Sequence, residues 1–396
     1  MNAPPTIKPE LITDAAGLKS LRDRLQAAGW FAFDTEFVGE DQFLPEICLI
    51  QVATEDLCAL VDPLNGLETR PFWELIADEA VQILVHAGAE DVAHCMRLVG
   101  QPPRNVFDLQ IAAGLVGQEY PISLSRLAKK TVGRRIHKSQ TLTNWRKRPL
   151  TPEQIRYAVE DVACLRPMYD FLYKRLESTR RLTWAQQECE ALCAAASAEE
   201  QNVQLQLKRL KGSGSLSGLQ LAIAHALLDA REELARAYNR PARTVLRDHL
   251  VVEIARRGWS DVKQIRTLRG LSLKSAAITR LAQAVEAARR LPREQWPEIP
   301  TREDSPEEEV LLSLATAVLR DHCAKENLAY SLLCKKQELR ALVRSHTRPE
   351  APKQPPSAFD HGWRKEAVGD LLDDVLTGRR AVRVAGVRTP PGLVVE

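Results

Sequence analysis

The chain has 396 residues, 44% hydrophobic and 27% charged, which excludes global disorder and predicts two or three globular domains. Lys and Arg number 55 against 52 Asp and Glu, and the net charge of +3 gives no overall attraction for nucleic acid unless charge is segregated along the chain. No run of about 18 uncharged apolar residues occurs, so no membrane-spanning helix is expected.

The start, MNAPPTIKPE, lacks the basic and apolar regions of a secretory signal. Eight cysteines, at 48, 58, 95, 164, 189, 193, 323 and 334, form no CxxC pair. Cys189 and Cys193 are spaced for packing on one helix face rather than for ligation. Free thiols without an export signal point to the cytoplasm.

Trp30 to Val38 (WFAFDTEFV) alternates as a strand, with Phe31, Phe33 and Phe37 on one face and Ala32, Asp34 and Glu36 on the other. Ile47 to Ala53 and Leu57 to Asp62 read as two more strands, the second stopped by Pro63. Val81 to His86 (VQILVH) is a short buried strand leading into a helix to about Val99, and Asn105 to Leu109 is a fifth strand. Strands early and helices late predict a mixed sheet flanked by helices, an α/β domain. From Thr151 onward the pattern is almost entirely helical: Thr151-Pro152-Glu153 is a capped helix start, and Gly212 to Gly218 precedes a helical block ending near Leu291. A Pro-rich acidic connector, LPREQWPEIPTREDSPEEE, leads to a third block from about Pro306, interrupted by RPEAPKQPPSAFD. No short-period repeat stands out, although the second and third blocks are both helical and similar in length.

Asp34 and Glu36, two apart on one strand, present both carboxylates to the same face. Two acids on a central strand are costly to bury without a cation or partner; a strand end open to solvent is the plainer alternative. His86-Ala87-Gly88-Ala89-Glu90-Asp91 opens a helix at the carboxyl end of a strand, where ligands collect, although acids there also complement the helix dipole. Tyr157 and Asp161, four apart, share one helix face. Carboxylates from two strands and two helices, with a tyrosine one turn before the last, can bracket two hard divalent cations, Mg²⁺ or Mn²⁺. Such a pair can activate water against a phosphodiester.

In this order FDTEFV, HAGAEDV and YAVEDVACL resemble the three exonuclease motifs of the ribonuclease D family, 3′-to-5′ exoribonucleases of the DEDD superfamily, tyrosine subclass. FDLQIAA and KSQTLTNWRKRPLTPEQIRYA resemble further segments of that family. The likeness covers about residues 8–180, and one departure is Ser123 in ISLSRL, where the family usually carries glycine. The resemblance implies a ribonuclease H-like fold in which Asp34, Glu36, Asp91 and Asp161 are the metal ligands, Asp91 rather than its neighbour Glu90. Tyr157 would orient the attacking water or scissile phosphate, since a phenol of pKa near 10 orients better than it accepts a proton. The products would be nucleoside 5′-monophosphates, and the substrates the 3′ ends of tRNA precursors and other structured RNAs, with no obligate protein partner. A DNA exonuclease and a catalytically silent RNA-binding scaffold are the alternatives; retention of all four acids and the tyrosine speaks against the second.

The charge is indeed segregated. Arg126 to Arg148 carries nine Lys or Arg and no acid, with Trp145 among them, and marks Lys138, Trp145 and Arg148 as candidate RNA contacts. Trp145 reads more readily as a core residue than as a stacker. Residues 204–293 have a net charge of +11, against −4 for 1–178, −2 for 179–203 and −2 for 294–396. DAREELARAYNRPARTVLRDHLVVEIARR resembles a helicase-and-ribonuclease-D C-terminal (HRDC) bundle, which implies auxiliary nucleic-acid binding and adds Arg240 and Arg243 as candidate contacts. The last block, ending GRRAVRVAGVRTPPGLVVE, resembles a second, more divergent HRDC-like domain. The expected organisation is therefore an exonuclease domain over 1–203 followed by two all-α bundles at 204–293 and 306–396.

Overall fold

The computed structural model describes residues 8–136, 143–198, 206, 207, 209–297, 304–348, 357–386 and 392–396. The chain folds into two units. Met1–Thr35, Leu49–Ser197 and Glu303–Glu396 make the first; Glu36–Cys48 and Ala198–Arg302 make the second.

A six-stranded sheet organises the first unit, in the order β1-β4-β3-β2-β5-β6. The strands are β1 (Glu10–Ile12), β2 (Trp30–Val38), β3 (Glu46–Ala53), β4 (Cys58–Val61), β5 (Gln82–Val85) and β6 (Val106–Asp108). β1 and β4, β2 and β5, and β5 and β6 pair in parallel; β3 and β4 pair antiparallel. The sheet is mixed, as expected. β1 escapes a reading by periodicity because its three residues are too few to show a period. α1 (Ala15–Ala28) follows it, capped by Asp14, which accepts from the Gly17 N–H at 2.8 Å, and closed by Gly29 at φ 70°.

Alternation along β2 sends its side chains into two different cores. Phe31 and Phe33 meet Phe72 and Trp73 of α2 (Arg70–Ile76), with neighbouring ring centroids between 5.3 and 6.3 Å apart, several of them edge to face. α3 (Ala89–Val99) packs beside α2. Ala32, one residue out of phase, joins Leu84 and Phe107 in a core with α4 (Leu109–Leu115), α5 (Leu124–Thr131), α6 (Pro152–Ala163), α7 (Leu165–Ser178) and α8 (Leu182–Ala198). Asp34 and Glu36 continue the Ala32 side of the strand.

In the second unit, α9 (Gly218–Tyr238), α10 (Ala242–Val245), α11 (Asp248–Arg257), α12 (Val262–Arg266) and α13 (Ser275–Arg289) enclose a core that includes Leu227, Leu246, Val251, Ile254 and Leu281. Asp248 holds the start of α11 by pairing with Arg231 at 2.7 Å and Arg243 at 3.3 Å.

The last block returns to the first unit. α14 (Pro306–Glu326), α15 (Tyr330–Leu333) and α16 (Lys336–Thr347) are followed by the helices Gly362–Arg364 and Asp370–Leu376. An antiparallel hairpin follows, β7 (Val382–Val384) with β8 (Leu393–Val395), two strands that the helical pattern did not predict. Leu312, Leu332, Leu333, Trp363 and Leu372 lie in the same core as Leu109, Leu172 and Trp184. The block expected as a separate domain thus shares its core with the sheet domain.

α14 to α16 also repeat α9 to α11. Ser217 and Ser305 are both N-caps in capping boxes, and Asn239 and Asn327 both close 21-residue helices in the left-handed conformation. Each pair is 88 residues apart, and α10 and α15 keep the same offset. The buried positions follow it as well: Ala224 and Leu312, Leu227 and Ala315, Leu246 and Cys334, Val251 and Leu339.

Candidate active site

β2 and α6 bring the acids together. Asp34, Glu36 and Asp161 offer carboxylate oxygens that all lie within 4.8 Å of one another, and each side chain is partly buried or buried. Glu36 sits one residue past the first unit on the same unbroken strand. Asp34 and Asp161 line a cavity of about 190 Å³ with Phe33, His86, Leu124, Tyr157 and Leu165.

α6 is well fixed at its start. Thr151 and Gln154 form a capping box, and the Gln154 side chain also reaches the Thr143 hydroxyl at 3.2 Å. Tyr157 and Asp161 then follow on one face, and the tyrosine hydroxyl donates to the carboxylate. Burial pushes Asp161 up to about 7; the Tyr157 bond opposes the shift and neighbouring Glu160 adds to it. A carboxyl so poised, beside two more, is the donor set of a hard cation, whose charge would hold all three ionised.

Asp91 stands apart from these three. It accepts from the Thr35 N–H at 3.0 Å and the Thr35 hydroxyl at 2.5 Å, so it is held by the residue between Asp34 and Glu36. Burial raises it to about 6, against the two Thr35 bonds and with a smaller push from Asp108. Its helix begins on a tight turn: a Cβ on Gly88 would fall 2.6 Å from Val85 side-chain atoms. Asp108, itself buried, accepts from the Ala87 and Gly88 N–H groups at 3.0 Å and so ties β6 to that turn.

The expected RNA contacts fare differently. Trp145 is 2% exposed and its ring centroid lies 6.0 Å from that of Tyr157, so it offers no free face to a base. Arg148 is half-buried and engages Asp62 through two bonds, at 2.5 and 2.8 Å. Arg243 is exposed but paired with Asp248, Arg240 is exposed, and Lys138 lies outside the described residues. Other cations of the basic run, Arg126, Lys129 and Lys130, are carried by α5, whose Leu124 lines the cavity.

Sequence reasoning missed Thr35, Asp62 and Asp108. Thr35 belongs by alternation to the opposite face, and nothing local says that a helix start will meet it. Asp62 and Arg148 are 86 residues apart, a pairing without a local signal. The eight cysteines are buried and free, and burial pushes Cys58 up to about 11 and Cys164 to about 12, so they pack rather than react.

Among the described residues, no helix is long and apolar enough to cross a membrane. Residues 9–177 match the 3′-5′ exonuclease family and residues 220–278 match the HRDC domain. Ribonuclease D of Gluconacetobacter diazotrophicus is 30% identical over 96% of this chain and 96% of its own. Ribonuclease D of Pseudomonas paraeruginosa is 32% identical over 92% of this chain and 96% of its own. The crystal structure of Escherichia coli RNase D, described as an exoribonuclease involved in structured RNA processing, superposes with a TM-score of 0.81 at 26% identity, covering 94% of this chain and 99% of that one. With its exonuclease domain, its HRDC helical domain and its cluster of acids, the chain belongs to the ribonuclease D family and is a 3′-to-5′ exoribonuclease.

Proposed function

We propose that Asp34, Glu36 and Asp161, joined by Asp91, hold two divalent cations, Mg²⁺ or Mn²⁺, at the 3′ end of an RNA strand. The observation that carries this reading is the convergence of three carboxylates within 4.8 Å beside a cavity that Tyr157 also lines. When bound, such ions lower the pKa of water and offset charge on the scissile phosphate. The chain's own residues do the rest. Leu124 and Leu165 give the cavity apolar walls that fit a terminal nucleoside. Tyr157, hydrogen-bonded to Asp161, directs a hydroxyl at the reacting phosphate or water. Thr35 holds Asp91 in place from behind the strand. Hydrolysis of the last phosphodiester then releases a nucleoside 5′-monophosphate.

The substrates in this reading are structured RNAs with free 3′ ends, tRNA precursors among them, acted on in the cytoplasm. The likeness to the E. coli enzyme, an exoribonuclease involved in structured RNA processing, supports the first part, and the eight free thiols suit a reducing compartment. The basic helical bundle supplies the holding surface. Lys211, Arg256, Arg257, Arg269 and Trp259 line a groove of about 470 Å³, in which Glu253 is a single acid shared by Arg256 and Arg257. A net positive groove with an aromatic ring suits phosphates and a stacked base. The third block is in this reading a second HRDC-like bundle, supported by its 88-residue offset from the first. The test is digestion of 3′-labelled and 5′-labelled RNA and DNA with Mg²⁺, Mn²⁺ or EDTA. Stepwise release of 5′-monophosphates from RNA 3′ ends, lost in EDTA, is expected; undiminished cleavage in excess EDTA overturns the metal reading.

A further inference from the structure

A hydroxyl that orients a reacting group must itself be held in one direction, and a tyrosine ring can rotate and lean. The Tyr157 hydroxyl is fixed at one end by Asp161. The ring is supported by Trp145, whose plane is inclined 43° to it with centroids 6.0 Å apart. Trp145 is itself buried, and its indole N–H has no hydrogen-bond partner among the described residues. No hydrogen bond of the indole N–H therefore sets its plane, and the polar hold on this residue is on its backbone. The Trp145 carbonyl accepts from Arg148 Nη1 at 2.7 Å, and the Lys147 carbonyl accepts from the same atom at 3.0 Å.

Arg148 in turn is clamped. Its Nε meets Asp62 Oδ2 at 2.5 Å and its Nη2 meets Asp62 Oδ1 at 2.8 Å, a two-bond fork that only a planar guanidinium makes. Asp62 is 3% exposed and stands at the end of β4, where its N–H donates to the Ile12 carbonyl of β1 at 2.9 Å. A buried charge pair of this kind is a weak device for stability alone, because desolvation offsets most of its attraction, and its use is better sought in what it holds still. An unbroken chain of contacts leads from the sheet edge through Asp62, Arg148 and Trp145 to Tyr157.

We infer that Arg148, anchored by Asp62, is a positioning residue for Tyr157 and acts through Trp145. The inference rests on the reading of Tyr157 as the orienting hydroxyl of the active site. It gives two side chains of the basic run an internal role in hydrolysis in place of a direct contact with RNA.

A coupling experiment tests it. Single-turnover rates and RNA affinities are measured for the full-length protein and for W145F, R148K, Y157F, W145F/Y157F and R148K/Y157F. W145F keeps a ring and R148K keeps the charge while losing the fork; thermal unfolding checks that each folds, and W145F carries the test if R148K does not. Each of W145F and R148K is expected to slow hydrolysis about tenfold or more, with RNA affinity within about twofold of wild type. In the Y157F background the same changes are expected to cost less than about twofold, because the ring's hydroxyl is already gone. A second full tenfold loss in that background overturns the inference, since the residues would then act independently of the tyrosine. Weakened RNA binding by the single variants overturns it in favour of a substrate contact, and unchanged rates overturn it outright. Full activity of Y157F would sink the reading of Tyr157 as well, whereas uncoupled losses leave that reading standing.

Discussion

Trp184 of α8 stacks on Trp363 of the last block, with ring centroids 5.5 Å apart and planes inclined by 29°. Each indole N–H is also spoken for across the same boundary: Trp184 donates to Glu366 and Trp363 to Glu188, both at 2.8 Å. Arg181, 6% exposed, adds bonds to the carbonyls of Leu115, Glu326 and Asn327. Replacing Arg181 with Ala strands these acceptors in a buried place and should cost about 3 kcal/mol or more, read as a lowered urea midpoint. Truncation after residue 303 should be worse, leaving a sheet domain that aggregates or fails to show a cooperative thermal transition.

Removing the other helical bundle should have a different effect. Replacement of residues 199–302 by a long Gly/Ser linker takes away the basic groove but leaves the first unit's core intact. Hydrolysis of a short unstructured RNA is expected to persist, while affinity for a structured RNA falls and its salt dependence flattens. Filter binding across a range of salt concentrations measures both; an unchanged slope would show that the bundle does not hold RNA.

Loss of a single carboxylate should separate chemistry from binding. Asp34→Asn and Asp161→Asn each keep the shape of the cavity and remove a negative charge. Hydrolysis should fall below about one thousandth of wild type, with RNA affinity within about threefold. A variant that cleaves at more than a tenth of the wild-type rate would displace that residue from the site.

Divalent ions should stabilise the fold as well as support hydrolysis. At about 100 times the dissociation constant, an ion that binds the folded chain contributes roughly 2.7 kcal/mol. Mg²⁺ or Mn²⁺ should therefore raise the melting temperature of the wild type by a few degrees, and Asp34→Asn should respond much less. An equal rise in the variant would place the ion elsewhere.

His94 makes stability depend on pH. Burial pushes it down to about 4, and Arg97 adds to the shift. Because its folded pKa lies below the ordinary 6.5, the unfolded chain binds the proton more readily between those values. The contribution is present above pH 6.5 and is lost as pH falls toward 4. Between pH 7 and 5 it should amount to about 2 kcal/mol. Urea unfolding of wild type and His94→Gln at both pH values isolates it, since the opposing upward shifts of Asp91 and Asp161 are common to both proteins.

The candidate site was more legible than the way its parts are held. The acids of β2 follow from a period of two, and Tyr157 with Asp161 from a spacing of four, so local geometry alone places each pair on one face. Strand β1 was not legible, because three residues carry no period. The pairing of Arg148 with Asp62 was not legible, since a run of cations looks the same in sequence whether its members face water or a buried aspartate. The third block shows the same limit on a larger scale: its apolar positions announce a face to be buried and do not say against what. Its kinship with the second block lies in buried positions and caps at a common offset rather than in repeated words of sequence.

A core assembled from the first two hundred and the last ninety residues also sets an order of events during synthesis. Chains emerge from the ribosome from the N-terminus, and domains made of contiguous sequence fold as they appear. Here the second unit is contiguous over Ala198–Arg302, apart from the stretch Glu36–Cys48, whereas the sheet domain waits for Leu312, Leu332 and Trp363. Contacts across such separations are slow to close. The nuclease half of the molecule is thus the last to finish, and its acids converge on a scaffold that is complete only when nearly the whole chain has been released.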